Sequence, residues 1–272
     1  MIATLAEVLQ DALKNRYSVA GLVCLGWEDM RAYAHAAQAE GVPVILQAGP
    51  SCRSHTPLPI LAAMMRHLAD SVSVPVVAHL DHSRDLAECR AAIAAGFTGV
   101  MYDGSRLPLE DNIRQTAEVV RMAHQAGVSV EGEIGFVGYA AGESSTGTDP
   151  KEAERFAAET GVDAMAISIG NVHLQAESET ELDESLLSQI EASTKIPLVI
   201  HGGTGVPSEQ RKRLGRSSAI CKYNIGTELR LAFGQSLRAQ LAAHPERYDR
   251  VQIFTELEQD LVKSAREVLA GL

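Results

Sequence analysis

The sequence predicts a parallel (β/α)8 barrel, a TIM barrel with extra C-terminal helices, and three observations predict it. Eight short apolar runs of strand type alternate with segments of helical period over about 210 residues. Residues able to do chemistry collect at the C-terminal ends of those runs. Glycine-rich turns follow the seventh and eighth runs, where barrels frequently hold a phosphate.

MIATLAEVLQDALKNR, at the amino terminus, reads as an amphipathic helix rather than a signal peptide. The first four strand-type runs are AGLVCLGW (20–27), VPVILQAG (42–49), VPVVAHLDH (74–82) and TGVMYDGS (98–105). The other four are VSVEGEIG (128–135), DAMAISIGN (163–171), IPLVIHGGTG (196–205) and AICKYNIGT (219–227). Between them, LAECRAAIAAG and NIRQTAEVVRMAHQAG space their apolar residues helically and stop at Gly. DPKEAERFAAETG opens with Asp149 as N-cap and Pro150 at the first helical position. Two helices, at about 226–243 and 251–270 around HPERYDR, exceed what an eighth barrel helix needs. They suit a pair that covers the barrel or joins subunits. No linker or charge block divides the chain, so one domain over 1–272 is expected, with its helical extension from about 228 to 272. An open doubly wound sheet of this length usually has fewer strands. Two strand-to-helix connections stand out, PSCRSHTPLPI after the second strand and FVGYAAGESSTGTDP after the fifth, the latter mobile by composition.

Apolar residues at 46% and charged residues at 22% are ordinary for a soluble globular protein. A net charge of −11 argues against nucleic acid or an anionic membrane as the main partner. No stretch approaches the roughly 20 apolar residues of a spanning helix. Cys24, Cys52, Cys89 and Cys221 lie far apart with no CxxC pair. They read as reduced, buried thiols of a cytoplasmic protein, not as a disulfide framework or a zinc knuckle.

Asp81 and His82 end the third strand, Asp103 ends the fourth, and Glu131 and Glu133 lie on the fifth. His173 follows the sixth and His201 ends the seventh. A closed barrel turns all of them toward one mouth. One His at a strand end is more often a hydrogen-bonded rim residue. Three, each from a different strand, match the catalytic-zinc pattern with an open coordination position. His79, two residues before Asp81, reads as a core or supporting group. His35, His67, His124 and His244 read as surface or rim residues, and His55 is left unassigned. HGGTG (201–205) and NIGT (224–227) follow strands seven and eight. Their glycines let the backbone approach a phosphate, and Thr204 and Thr227 can donate hydrogen bonds to it.

AHLDHS, GVMYDGSRLPLEDNI, VSVEGEIGFVG, VIHGGTGVP and KYNIGTELR occur in this order. Through them, from about residue 3 to about 235, the chain resembles the class II metal-dependent aldolases of ketose phosphates and bisphosphates. Within that family it is closer to the shorter tagatose- and fructose-bisphosphate aldolase-like branch. The resemblance implies a lyase that reversibly cleaves a ketose phosphate or bisphosphate to dihydroxyacetone phosphate and an aldehyde. It makes Asp81 the catalytic acid/base and His82, His173 and His201 the Zn2+ ligands. Asp103 and Glu133 become a candidate second cation site, divalent or monovalent. Gly202, Gly203, Thr204, Asn224, Gly226 and Thr227 would surround the phosphate, and Glu143 would be the acidic loop residue. A homo-oligomer, dimer or tetramer, is expected.

The chain departs from the family pattern in its recognition loops. Leu174 follows His173 where Gly is usual, Gly226 replaces Asp or Ala, and Thr204 replaces Ser. CLGWED and QAGPSC differ from the usual Asn-rich and Ser-containing turns. The metal set is intact and the substrate loops are altered, so fructose 1,6-bisphosphate is expected to be a poor substrate. Two rival readings remain. A zinc-dependent hydrolase barrel commonly begins with an HxH pair that LVCLGW lacks. A non-catalytic phosphate-binding barrel fits the altered loops but not the unbroken metal set.

Overall fold

The structure, a computed structural model, describes residues 1–176 and 180–272. Each of the eight apolar runs forms a strand. The first four are β1 (Val19–Cys24), β2 (Val44–Ala48), β3 (Val76–Ser83) and β4 (Gly99–Tyr102). The others are β5 (Ser129–Ile134), β6 (Ala164–Ile167), β7 (Leu198–Ile200) and β8 (Ile220–Ile225). All pairings are parallel, and β8 closes the barrel on β1 through Ala20–Tyr223 and Leu22–Ile225. A two-residue strand, Ile2–Ala3, adds to the start of β3.

Helix α1 (Leu5–Asn15) precedes β1, and α2 (Trp27–Glu40) follows it. Two helices, α3 (Pro50–His55) and α4 (Leu58–Ser71), follow β2. The next strands are followed by α5 (Leu86–Ala95), α6 (Leu109–Gln125), α7 (Pro150–Thr160), α8 (Glu184–Ser193) and α9 (Ser208–Ser217). After β8 come α10 (Thr227–Ala243) and α11 (Arg250–Ala270). Asp149 caps α7 by accepting from the Lys151 and Glu152 amides, and Gly161 ends that helix in the left-handed region, as DPKEAERFAAETG predicts. The C-terminal pair stays on the barrel wall. Helix α11 packs along α2, where Leu257, Leu261 and Ala265 are buried and Arg31 meets Glu258 at 2.6 Å.

Strand alternation sorts the core into two layers. Outward residues such as Leu22, Leu46, Ala78 and Leu80 pack under the helices. Inward residues Val19, Ile45, Val77, Ala164 and Val199 meet Leu5, Val8, Leu9 and Ala12 of α1. The amino-terminal helix therefore plugs the bottom of the barrel, each of its buried leucines contributing about 2 kcal/mol. Thr4 starts it with a capping box closed by Glu7. Above this plug the interior turns polar, with His79, Glu131 and Lys222 buried, then Asp81, Glu133, His201 and Asn224. Polar groups are costly inside a barrel unless they are paired or used. Among the described residues the four cysteines are free and buried, and no helix is long and apolar enough to cross a membrane.

Candidate active site

The C-terminal ends of the strands surround a pocket of about 670 Å³, lined by Asp81, His82, His173, Gly202, Thr204, Asn224, Gly226 and Thr227 among others. Strand β3 delivers its residues through an irregularity. Its register on β4 shifts between Leu80 and Ser83, and His82 adopts φ +51°. A left-handed His costs of order 1–3 kcal/mol and persists only where its surroundings enforce it. Arg53 of α3 enforces it: its guanidinium donates to the carbonyls of Asp81 at 2.6 Å, His82 at 2.8 Å and Ala48 at 3.2 Å. Its Nε donates to Glu88 at 2.7 Å, and Glu88 also accepts from Ser83 Oγ at 2.6 Å. One buried cation thus ties the ends of β2 and β3 together.

His173 lies in the connection after β6 and is held by the loop after β5. Its amide donates to Gly138 O at 2.8 Å, its carbonyl accepts from Ala140 N at 3.0 Å, and Tyr139 stacks on its ring with centroids 5.1 Å apart. The Gly-, Ser- and Thr-rich segment expected to be mobile is folded against the mouth, with Phe136 and Thr146 paired across it. His201 is fully buried at the end of β7. Its Nε2 lies 2.9 Å from Glu131, which also accepts from Lys222 at 2.5 Å. A carboxylate only accepts, so Nε2 carries the proton and Nδ1 presents its lone pair.

The three imidazoles converge. Their ring centroids are 4.5 Å (His82–His201), 5.1 Å (His82–His173) and 5.5 Å (His173–His201) apart. One nitrogen from each lies within 4.8 Å of the others, and His82, Asp103 and Glu133 form a second such group. Nδ1 of His201 and Oε2 of Glu133 are buried without a hydrogen-bond partner among the described residues. Orphaned buried acceptors in a His and carboxylate set are what a divalent cation satisfies.

The titration behaviour agrees. Burial, then repulsion by His82 and His201, pushes His173 down to about 2. Burial works against a charge on His82, yet Asp81, Asp103 and Glu133 raise it to about 9. Burial, with Asp103 beside it, pushes Glu133 up to about 8. Asp103 is buried too, but His82, Ser105 and Arg84 hold its carboxyl well below the usual range. The cluster is short of positive charge.

Asp81 sits beside this cluster, 5% exposed, and its Oδ1 faces Asn224 Nδ2 at 3.4 Å. Across the mouth the HGGTG turn approaches His173 closely. Gly202 has φ +65°, and a Cβ there would stand 2.1 Å from Val172 O. Thr204 accepts from the Glu228 amide at 3.4 Å, and no side chain caps α10 at Gly226. The first turn of α10 therefore leaves N–H groups at the pocket wall for an anion.

The family model described as "Fructose-bisphosphate aldolase class-II" matches residues 3–272. The chain belongs to that family. The fructose-bisphosphate aldolase of Geobacillus stearothermophilus is 38% identical over 262 residues, 93% of this chain and 90% of that protein. The 6-phospho-5-dehydro-2-deoxy-D-gluconate aldolase of Shouchella clausii (strain KSM-K16) is 37% identical over 255 residues, 88% of this chain and 83% of that one. The crystal structure of the YdjI aldolase from Escherichia coli K12 superposes with TM-score 0.86 at 27% identity, covering 100% of this chain and 97% of that one. This class II aldolase is a lyase of a generally metal-dependent family.

Within the aldolase, Asp81, His82, His173, His201, Asp103 and Glu133 are brought together, and Gly202, Thr204, Asn224, Gly226 and Thr227 line the same pocket. Gly203 lies behind the turn against Asn224 O. Glu143 is placed differently: it pairs with Arg106 at 2.6 Å, is 56% exposed, and does not line the pocket. His55 is exposed and bonds Thr56. Sequence reading missed Arg53, Arg84, Tyr139, Lys222 and Arg230. The signal for Lys222 was present, a lone Lys inside the strand-type run AICKYNIGT. Arg53 gave none, because Arg in a strand-to-helix connection is ordinary.

Proposed function

We propose that this chain is a zinc-dependent aldolase that reversibly cleaves a ketose phosphate to dihydroxyacetone phosphate and an aldehyde. The observation that carries this reading is Asp81 beside three converging imidazoles, with the start of α10, where Gly226 has no capping side chain, across the same pocket. His82, His173 and His201 would hold the cation, and Asp103 and Glu133 offer a second set around His82. Bound there, it supplies Lewis-acid polarisation of the ketose carbonyl and compensates the negative charge of the enediolate.

The residues of the chain do the remainder. Gly202, Thr204 and the first amides of α10 bind the phosphate and fix the ketose in the pocket. Asp81 accepts the proton of the hydroxyl whose oxygen becomes the aldehyde oxygen, as the carbon–carbon bond breaks. The electron pair of that bond passes to the enediolate, which is then protonated to dihydroxyacetone phosphate. Asn224 holds Asp81 on the substrate side through the 3.4 Å contact. Glu131, its charge matched by Lys222, fixes the His201 ring so that Nδ1 faces the cluster.

The substrate is proposed to differ from fructose 1,6-bisphosphate. Leu174 stands beside a ligand at φ +59°, 57% exposed on the pocket wall. At Gly226 a Cβ would meet Val23 at 3.0 Å, so Val23 occupies the space of the usual side chain. The test is a screen of ketose phosphates and bisphosphates with zinc-loaded protein, detecting dihydroxyacetone phosphate. Release of inorganic phosphate or another hydrolysis product in place of the triose would overturn the reading.

A further inference from the structure

We propose, resting on the aldolase reading above, that Arg84 is a positioning residue whose guanidinium stands in for a second cation, so that each active site keeps a single divalent ion. The backbone puts it there. Ser83 pairs with Tyr102 across β3 and β4, and the Asp103 amide donates to Ser83 O at 2.7 Å. Arg84 and Asp103, the next residue along each strand, therefore leave the two strand ends side by side at the mouth. Arg84 Nε and Nη2 both donate to Asp103 Oδ2, at 3.0 and 2.9 Å. The carboxylates nearest Arg84 in sequence are engaged elsewhere. Asp85 caps α5 by accepting from the Ala87 amide at 2.8 Å, and Glu88 accepts from Arg53 and Ser83.

What Arg84 takes up is the acceptor capacity of Asp103. His82, Asp103 and Glu133 lie close enough to share an ion, but a carboxylate binds one only through lone pairs that nothing else holds. A carboxylate offers about four. Oδ1 of the buried Asp103 already accepts from Ser105 Oγ at 2.5 Å and from the Ser105 amide at 3.2 Å. Oδ2 receives both arginine donors and faces His82 Nδ1 at 3.3 Å. Glu133 Oε2 remains, 3.8 Å from His82 Nδ1 and 3.8 Å from His201 Nδ1, on the side of the imidazole cluster. One carboxylate oxygen is too few for a hard divalent ion, which takes about six oxygen ligands. The set around His82 is thus closed by a charge already on the chain. An ionised carboxylate buried as Asp103 is needs a partner, and Arg84, its side chain half-exposed, reaches it from the solvent side. A guanidinium is always protonated and no chelator removes it. Asp103 therefore stays compensated in metal-free protein as in loaded protein.

The test counts metal ions without substrate. Chelator-stripped protein is loaded with one equivalent of Zn2+ and titrated with Mn2+, whose free ion is read by electron paramagnetic resonance. Wild type should take up no second ion at Mn2+ levels where Arg84→Met binds one per chain. The two Kd values should differ by about 10- to 150-fold, the worth of the charge-assisted hydrogen bond that an ion must displace. Arg84→Lys should restore most of the exclusion. Asp103→Asn added to Arg84→Met should remove the extra ion while the Zn2+ stays. Equal Mn2+ affinity in wild type and Arg84→Met overturns the proposal, and so does an extra ion that survives Asp103→Asn. Should Arg84→Met fail to fold by circular dichroism, the neutral Arg84→Gln takes its place under the same outcomes. Triose release from ketose phosphates by the Zn2+-loaded wild type is measured separately. Its absence sinks the aldolase reading and leaves the Mn2+ count to decide Arg84, whereas triose release with Mn2+ bound equally by wild type and variant sinks the role of Arg84 alone.

Discussion

Asp81 and His82 are adjacent in sequence yet face different tasks, because the backbone turns left-handed between one side chain and the next. In the proposed mechanism that conformation places an acceptor for a proton beside a ligand for a cation. Asp81→Asn preserves size and the contact with Asn224 but removes the base. Its cleavage rate is expected to fall about 10²–10⁴-fold, the usual worth of a general acid/base, while zinc content measured by atomic absorption stays at the wild-type level. Loss of zinc would instead make Asp81 a support of the metal set. Leu174 presents the opposite case, a strained residue whose side chain is 57% exposed. Leu in the left-handed region costs about 1–2 kcal/mol, against about 0.5–1 for the added chain entropy of Gly. Leu174→Gly should therefore raise unfolding free energy by up to about 1.5 kcal/mol in denaturant titration and improve turnover of fructose 1,6-bisphosphate. Unchanged turnover would remove Leu174 from substrate selection.

At the scale of elements, the site depends on how strand ends are tied. Short α3 exists to carry Arg53 into the gap between β2 and β3, where it satisfies carbonyls that continue no ladder. Arg53→Gln leaves those buried carbonyls short of donors, at about 1–3 kcal/mol for such a group. The expected result is a lower melting temperature with zinc bound about 10-fold more weakly or worse, read by competition with a chromophoric chelator. Zinc affinity equal to wild type would show that His82 is held without the clamp. The turn after β7 depends on Gly202 in the same way, since a methyl group there would strike Val172 O. Gly202→Ala should raise KM for the ketose phosphate more than it lowers kcat; an unchanged KM would separate this turn from phosphate binding. The alternation of strand and helix was readable because each run is short, apolar and bounded by Gly or Pro. The ties were not readable, because Arg53 and the carbonyls it grips are up to 29 residues apart and nothing local marks the pairing.

For the whole molecule, closure of the barrel converts eight separate strand ends into one site. Asp81, His82, Asp103, Glu133, His173 and His201 were legible as a group because they stand at, or within a few residues of, the C-terminal ends of apolar runs. The polar layer of Glu131, Lys222 and His79 beneath them was less so: a charged residue inside a strand signals burial or a bulge with equal force. Glu143, expected from the loop sequence, pairs with Arg106 of another connection, a contact that no local pattern marks. The acidic surround of His82, the orphaned Nδ1 of His201 and the orphaned oxygen of Glu133 all point to one missing positive charge. The most direct measurement of that claim is a zinc titration of chelator-stripped protein, following release of dihydroxyacetone phosphate from the best ketose phosphate. Activity should be absent without metal, rise linearly, and saturate near one equivalent per chain in wild type, while His173→Ala binds zinc weakly and stays inactive. Full activity in stripped protein, or full zinc occupancy in His173→Ala, would contradict the account.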